Sequence, residues 1–113
     1  MGSASRYFGA LTVAFLIAAA PTMAQADFEI EVVIKNHRFV PDRIEVPRDA
    51  KVRLKVINQD DVAEEFESFV LNREKLVPPG GTVVIFLPKL KPGTYEFFGE
   101  FHESTARGII VVP

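Results

Sequence analysis

Apolar and polar side chains alternate along much of this chain, and the alternation predicts β-strands. The pattern is clearest at 28–35 and 51–58, where apolar residues recur at nearly every second position with charged residues between them. Further segments that are alternating, β-branched or aromatic predict strands at 43–47, 66–71, 82–87, 94–99 and 108–112. Pro47 confines strand 43–47 to the edge of a sheet, because proline cannot donate a hydrogen bond to a neighbouring strand.

Turn residues separate these segments. Pro and Gly cluster at 78–81 and at 88–93, and a polar, acidic loop covers 59–65. No segment requires a helix of ordinary length. About seven short strands with turns between them predict an all-β fold, either a Greek-key β-sandwich or a small barrel.

The first 26 residues have the pattern of a signal peptide. Arg6 gives a short cationic start, residues 8–20 are uncharged and apolar, and Ala24-Gln25-Ala26 makes a cleavage site. The apolar run is too short to span a bilayer, and it lacks the polar face of an interfacial helix. We therefore expect residues 1–26 to direct export and residues 27–113 to form one exported domain.

The amino-acid composition limits which partners, metal ligands and reactions the exported domain can have. Removing Arg6 changes the formal net charge from −2 to −3, and this acidic balance argues against a nucleic-acid partner. The chain has no cysteine, and its two methionines, Met1 and Met23, lie in the predicted signal peptide. The domain itself therefore contains no sulfur ligand for a metal. Hydrolase motifs and zinc-ligand spacings are also missing from the sequence.

Two polar clusters, at 64–67 and at 99–103, lie where a loop meets a predicted strand. Loops of a sandwich gather at its two ends, so the clusters converge if their loops lie at the same end. The sequence alone leaves that question open.

The domain resembles a cupredoxin in its strand and turn cues, among them Phe39-Val40-Pro41, the segment 92–97 and the last strand at 108–112. The resemblance places Gly99 where blue-copper proteins have their cysteine and His102 at their second histidine. Ala106 or Arg107 stands near the place of their methionine. Since a type 1 copper centre needs a thiolate, the composition excludes ordinary blue-copper electron transfer.

A narrower resemblance rests on the segments 64–68, 71–75 and 99–106. They are similar to the cysteine-free cupredoxin-like proteins that accompany bacterial iron permeases. The resemblance implies periplasmic iron uptake with an inner-membrane iron permease and a periplasmic iron-binding protein as partners. It also implies copper or iron as the bound ion and assistance in oxidising or delivering Fe(II). Whether the protein is an enzyme, as a ferroxidase partner, stays open.

Imidazole and carboxylate groups suit iron, manganese, zinc or Cu(II). His102 is the first candidate ligand, because it holds the ligand position in the resemblance and is flanked by two carboxylates, and the alternative is a surface histidine. Glu65 and Glu67 project to the same side of a strand, so they could bind one cation or form a solvated face, whereas Glu64 shares the inward parity of Phe66.

Three further candidates complete the predicted set. Glu100 and Glu103 could ligate the ion, orient His102 or be solvated. His37 lies near the end where the family binds metal and could equally be a surface histidine.

According to a second hypothesis, the domain has no metal site. On this interpretation the domain keeps the sandwich and uses its acidic end to dock a periplasmic or membrane partner. Arg107 favours this interpretation in part, since a fixed positive charge would offset nearby carboxylates, and it could pair with Glu100 or Glu103.

Overall fold

The computed structural model of the protein describes residue 2 and residues 9–16 and 28–113. Most of the predicted signal peptide, including its cleavage site at residues 24–26, lies outside these residues. Residues 9–16 form neither helix nor strand. Within the described part of the chain, no helix is long and apolar enough to cross a membrane.

Strands account for nearly all of the described regular structure. They are β1 (Phe28–Lys35), β2 (Arg38–Val40), β3 (Arg43–Glu45), β4 (Val52–Asn58), β5 (Glu64–Ser68), β6 (Arg73–Val77), β7 (Thr82–Leu87), β8 (Gly93–Gly99) and β9 (Arg107–Val112). One turn of 3₁₀ helix, Glu100–His102, follows β8. Each of the seven predicted strands corresponds to one of these nine, and β2 and β6 are additional.

The strands form two sheets that face each other. One sheet has the order β2-β1-β4-β7, and the other has the order β3-β9-β8-β5-β6. The pairs β1–β4 and β3–β9 are parallel, and the other pairs are antiparallel. The all-β sandwich is confirmed, and β3 lies at a sheet edge as Pro47 predicts.

An aromatic group fills the centre of the sandwich. Phe66 and Phe97 are stacked with ring centroids 5.1 Å apart, and Phe39 packs edge-on against Phe97 at 4.9 Å. Gly108 makes this packing possible, since a Cβ there would lie 2.2 Å from the Phe97 ring. The strands that carry the polar clusters are thereby fixed against the core.

The predicted strand at 66–71 is wrong in its second half. Phe66 is fully buried, but Val70 is 59% exposed and the chain turns between β5 and β6. Ser68 causes the turn, because its buried hydroxyl donates to the Glu96 carbonyl at 2.6 Å and accepts from the Leu71 N–H at 3.3 Å. The turn closes the β5–β6 hairpin and brings a further glutamate to β5.

Candidate metal site

Glu64 is a buried carboxylate at the start of β5. The residue is 1% exposed because it shares the inward parity of Phe66. Its Oε1 accepts hydrogen bonds from the backbone N–H groups of Glu65 at 3.0 Å and Phe101 at 2.9 Å. Its Oε2 lies 2.5 Å from Nδ1 of His102. The two polar clusters of the sequence therefore meet at one end of the sandwich.

Gly99 and Ala106 leave the space that the Glu64 side chain fills. A Cβ at residue 99 would lie 2.6 Å from Cδ of Glu64 and 2.7 Å from Cβ of Ala106. A buried, hydrogen-bonded carboxylate thus occupies the place where the resemblance puts the sulfur ligands of a cupredoxin. A type 1 copper ion does not fit there, because its soft donors are replaced by a hard one that is already satisfied.

His37 reaches the same end from the β1–β2 hairpin. Asn36 and His37 both have positive φ, 52° and 58°, as a two-residue type I′ turn requires. The Asp60 carboxylate accepts the N–H groups of His37 at 2.9 Å and Asn36 at 2.8 Å, and the bond from His37 is the main cause of a lowered pKa for Asp60. The Thr105 hydroxyl donates to the His37 carbonyl at 2.6 Å. The ring of His37 consequently lies 3.6 Å from that of His102, centroid to centroid.

Four glutamates from three elements form a second group, which we call the four-glutamate cluster. Glu65 and Glu67 come from β5, Glu74 from β6 and Glu100 from the 3₁₀ turn. Each offers one carboxylate oxygen, and these oxygens all lie within 4.8 Å of one another. Among the described residues, no Lys, Arg or His forms an ion pair with the cluster.

Charge and burial make Glu65 the most perturbed member of the cluster. Its Oε1 is buried and has no hydrogen-bond donor among the described residues. The ionisable groups around it are carboxylates, which cannot donate when they are ionised, so a shared proton or a cation would satisfy it. Proton sharing with Glu74 and then Glu100, together with burial, raises the pKa of Glu65 to about 8. Burial, followed by the charges of Glu74 and Glu100, also raises the pKa of Glu67.

The predicted site residues thus divide between two groups. Glu64, His102 and His37 form the buried pair and its imidazole neighbour, and Glu65, Glu67 and Glu100 belong to the four-glutamate cluster. Glu103 is exposed and joins neither group.

Glu74 belongs to the cluster but is not among the ligands predicted from the sequence. It pairs with Glu67 across the β5–β6 hairpin, an arrangement of like charges that destabilises a sheet. Asn72, at φ 53°, marks the turn. Recognising that turn would have placed the two glutamates opposite each other.

The two groups differ in the ions they suit. Four carboxylates offer oxygen ligands only, which favour hard cations such as Mn(II), Fe(II) and Fe(III). The His37–His102 pair offers nitrogen, and Glu64 orients His102 through Nδ1 as a carboxylate does behind many metal-bound imidazoles.

Comparison with known sequences finds a matching family model and a relative of similar sequence. Residues 8–112 match the family model described as a cupredoxin-like domain. An uncharacterised protein of Rickettsia prowazekii (strain Madrid E) is 52% identical over 84 residues, which are 74% of this chain and 67% of that protein.

Solved structures share the fold at low sequence identity. Auracyanin A, a blue copper protein of Chloroflexus aurantiacus, is 16% identical with a TM-score of 0.66, covering 75% of this chain and 98% of its own. A purple cupredoxin from Nitrosopumilus maritimus is 18% identical with a TM-score of 0.56, covering 74% of this chain and 98% of its own. These similarities concern the fold alone.

Proposed function

Because this chain belongs to the cupredoxin-like domain family, we propose that it is a metal-binding member that holds its ion in the four-glutamate cluster instead of a thiolate centre. The buried Oε1 of Glu65 carries the proposal. Like-charged carboxylates this close repel one another unless a proton or a cation lies between them. A divalent cation would remove the repulsion and supply the missing partner of Glu65.

We infer a hard or borderline cation of the iron and manganese type. The cluster offers carboxylate oxygens and no sulfur, and Glu74 and Glu100 are exposed, so an ion could enter from solvent. The resemblance to proteins that accompany iron permeases favours iron among these ions. On that basis the protein would take part in periplasmic iron uptake, passing iron between a periplasmic iron-binding protein and an inner-membrane permease.

Assistance in oxidising Fe(II) would require an electron acceptor besides the cluster. The His37–His102 pair is our candidate position for Cu(II), since Glu64 engages Nδ1 of His102 and leaves its Nε2 for a ligand. The copper would accept the electron, and the cluster would bind the Fe(II).

Anaerobic calorimetric titration with Fe(II), and with Mn(II) as a redox-stable probe, tests the cluster. We expect the variants Glu67→Gln and Glu74→Gln each to weaken binding at least about tenfold, because each removes a charged ligand. Glu103→Gln is the matched control, since this exposed glutamate lies outside the cluster and its loss should leave the affinity unchanged. Equal affinity in all three variants would refute the cluster as the site.

A docking module without metal is the second candidate function. The packing of Gly99, Glu64 and Ala106 favours it, because it fills the place where the family's metal would lie. Folded wild-type protein that binds neither Fe(II), Mn(II) nor Cu(II) would leave this function in place of the first.

A further inference from the structure

A row of four side chains crosses the outer face of the five-stranded sheet. Arg107 pairs with Phe98, Phe98 pairs with Glu67, and Glu67 pairs with Glu74 on successive strands. The four share the outer face because cross-strand partners project to the same side, and Phe97, which precedes Phe98, points into the core. The row therefore runs from a positive charge through an aromatic ring to two negative charges.

Apart from Glu96, the centre of this face is apolar. Phe69 packs edge-on against Phe98 with ring centroids 5.3 Å apart, and Phe69 is 79% exposed. Val70 beside it is 59% exposed. Shallow grooves of about 310 and 360 Å³ lie on either side of Phe98. Exposed apolar surface of this kind, rimmed by charge, is typical of a protein-binding face.

The charges at the two ends of the row have no opposite partner within the described chain. The Arg107 guanidinium lies 6.0 Å from the Phe98 ring and forms no ion pair with a described carboxylate. Glu67 and Glu74 also lack a cationic partner there. Since β8 separates β9 from β5, the backbones of Arg107 and Glu67 are about 10 Å apart. One copy of the chain thus presents both halves of a salt bridge that it does not close itself.

We propose that this face binds a second copy of the chain, with the two copies related by a two-fold axis that runs parallel to β8 through Phe98. Rotation about that axis reverses the row, so each Arg107 faces Glu67 of the other copy and the two Phe98 rings meet at the centre. A two-fold axis along the row would instead oppose arginine to arginine. Glu96, two residues before Phe98 on β8, lies on the same face and faces its own copy across this axis, but the row supplies two contacts of opposite charge per dimer. The charges of the row therefore favour this isologous arrangement over the other.

The size of the face sets the strength of the dimer. Five strands spaced about 4.8 Å apart make a face roughly 20 Å wide. Two such faces bury at most about 1,200 Å², the lower end of the range for stable interfaces. The dimer is accordingly reversible, and its two Arg107–Glu67 pairs determine its geometry and specificity.

Sedimentation equilibrium in low salt with a chelator present tests the dimer on the intact protein as isolated, with its N-terminus read by mass spectrometry. Arg107→Glu and Glu67→Arg should each raise the dimer dissociation constant at least about tenfold, because either change places like charges opposite each other twice per dimer. An equimolar mixture should associate as tightly as wild type, since the heterodimer pairs opposite charges at both contacts. Arg53→Glu, on the outer face of the other sheet, is the control that should not alter association.

Two results would overturn the proposal. One is a wild-type protein that stays monomeric at several hundred micromolar. The other is a mixture of the two charge-reversed variants that associates no better than either alone. Neither depends on metal binding, because the chelator is present and Arg107 is not part of the four-glutamate cluster.

Discussion

Glu65 makes the free energy of unfolding of the domain depend on pH. Its pKa of about 8 in the folded chain lies above the ordinary value of 4.5, because the proton it shares with Glu74 and Glu100 relieves their repulsion. Between these two pH values the folded state binds more protons than the unfolded state. The contribution of Glu65 to the free energy of unfolding is therefore full below pH 4.5 and is lost as the pH rises through 8.

Unfolding in urea at pH 6 and at pH 9, with a chelator present, tests this coupling. We expect the wild-type midpoint to fall over that range and the Glu65→Gln variant to show a clearly smaller fall, since its amide does not titrate. Glu103→Gln, outside the cluster, should behave as wild type. Identical pH profiles for wild type and Glu65→Gln would contradict the raised pKa.

At the scale of elements, the β1–β2 hairpin depends on a carboxylate from a different loop. Asp60 accepts both N–H groups of the turn, so Asp60→Ala should lower the free energy of unfolding by about 1–2 kcal/mol at neutral pH. Because the pKa of Asp60 is lowered, its contribution is present above the ordinary value of 3.8 and is lost as the pH falls through the folded value.

Urea denaturation at pH 7 and pH 2.5 would measure both effects of Asp60→Ala, with its exposed neighbour changed in Asp61→Ala as the control. The deficit should shrink at the lower pH. A deficit that is the same for both variants would show that the two turn hydrogen bonds contribute nothing.

Strands were the most predictable elements because their evidence is local. The alternation at 51–58 depends only on which residues face the core, and β4 follows it closely. The inward parity of Glu64 and the shared face of Glu65 and Glu67 were predicted for the same reason. Ser68 overrides the pattern at 66–71, because its hydroxyl bonds to Glu96, a residue 28 positions away.

The composition of the candidate site could not be read from the sequence, because it depends on pairings between distant strands. Glu74 enters the cluster through the register of β5 and β6, and Glu100 enters it through the 3₁₀ turn after β8. The sequence allows Arg107 to pair with Glu100 or Glu103, whereas the structure places it over the ring of Phe98. Such neighbours become visible only when the sheet order is known.

At the scale of the whole molecule, the two proposals concern the same glutamate. If the four-glutamate cluster binds a cation and the outer face binds a second copy, then Glu67 has to coordinate the cation and pair with Arg107 of the other copy. Each of these two interactions weakens the other. Saturating Mn(II) should therefore raise the dimer dissociation constant, and dimerisation should weaken Mn(II) binding by the same factor.

Sedimentation of wild type with Mn(II) and with chelator measures this competition. Glu74→Gln should reduce the effect of Mn(II) while keeping the Arg107–Glu67 contact. A dimer that tightens with Mn(II) would mean that the ion bridges two copies, and it would refute competition.

The packing of Gly99 against Glu64 also bears on how such a domain could change over time. A cysteine side chain at residue 99 would collide with the Glu64 carboxylate, whereas removing that carboxylate first would leave the Phe101 N–H and Nδ1 of His102 without their acceptor. Either change alone is therefore less stable than the present packing. Residues 64 and 99 are therefore epistatic, because the effect of a cysteine at residue 99 depends on which side chain stands at residue 64.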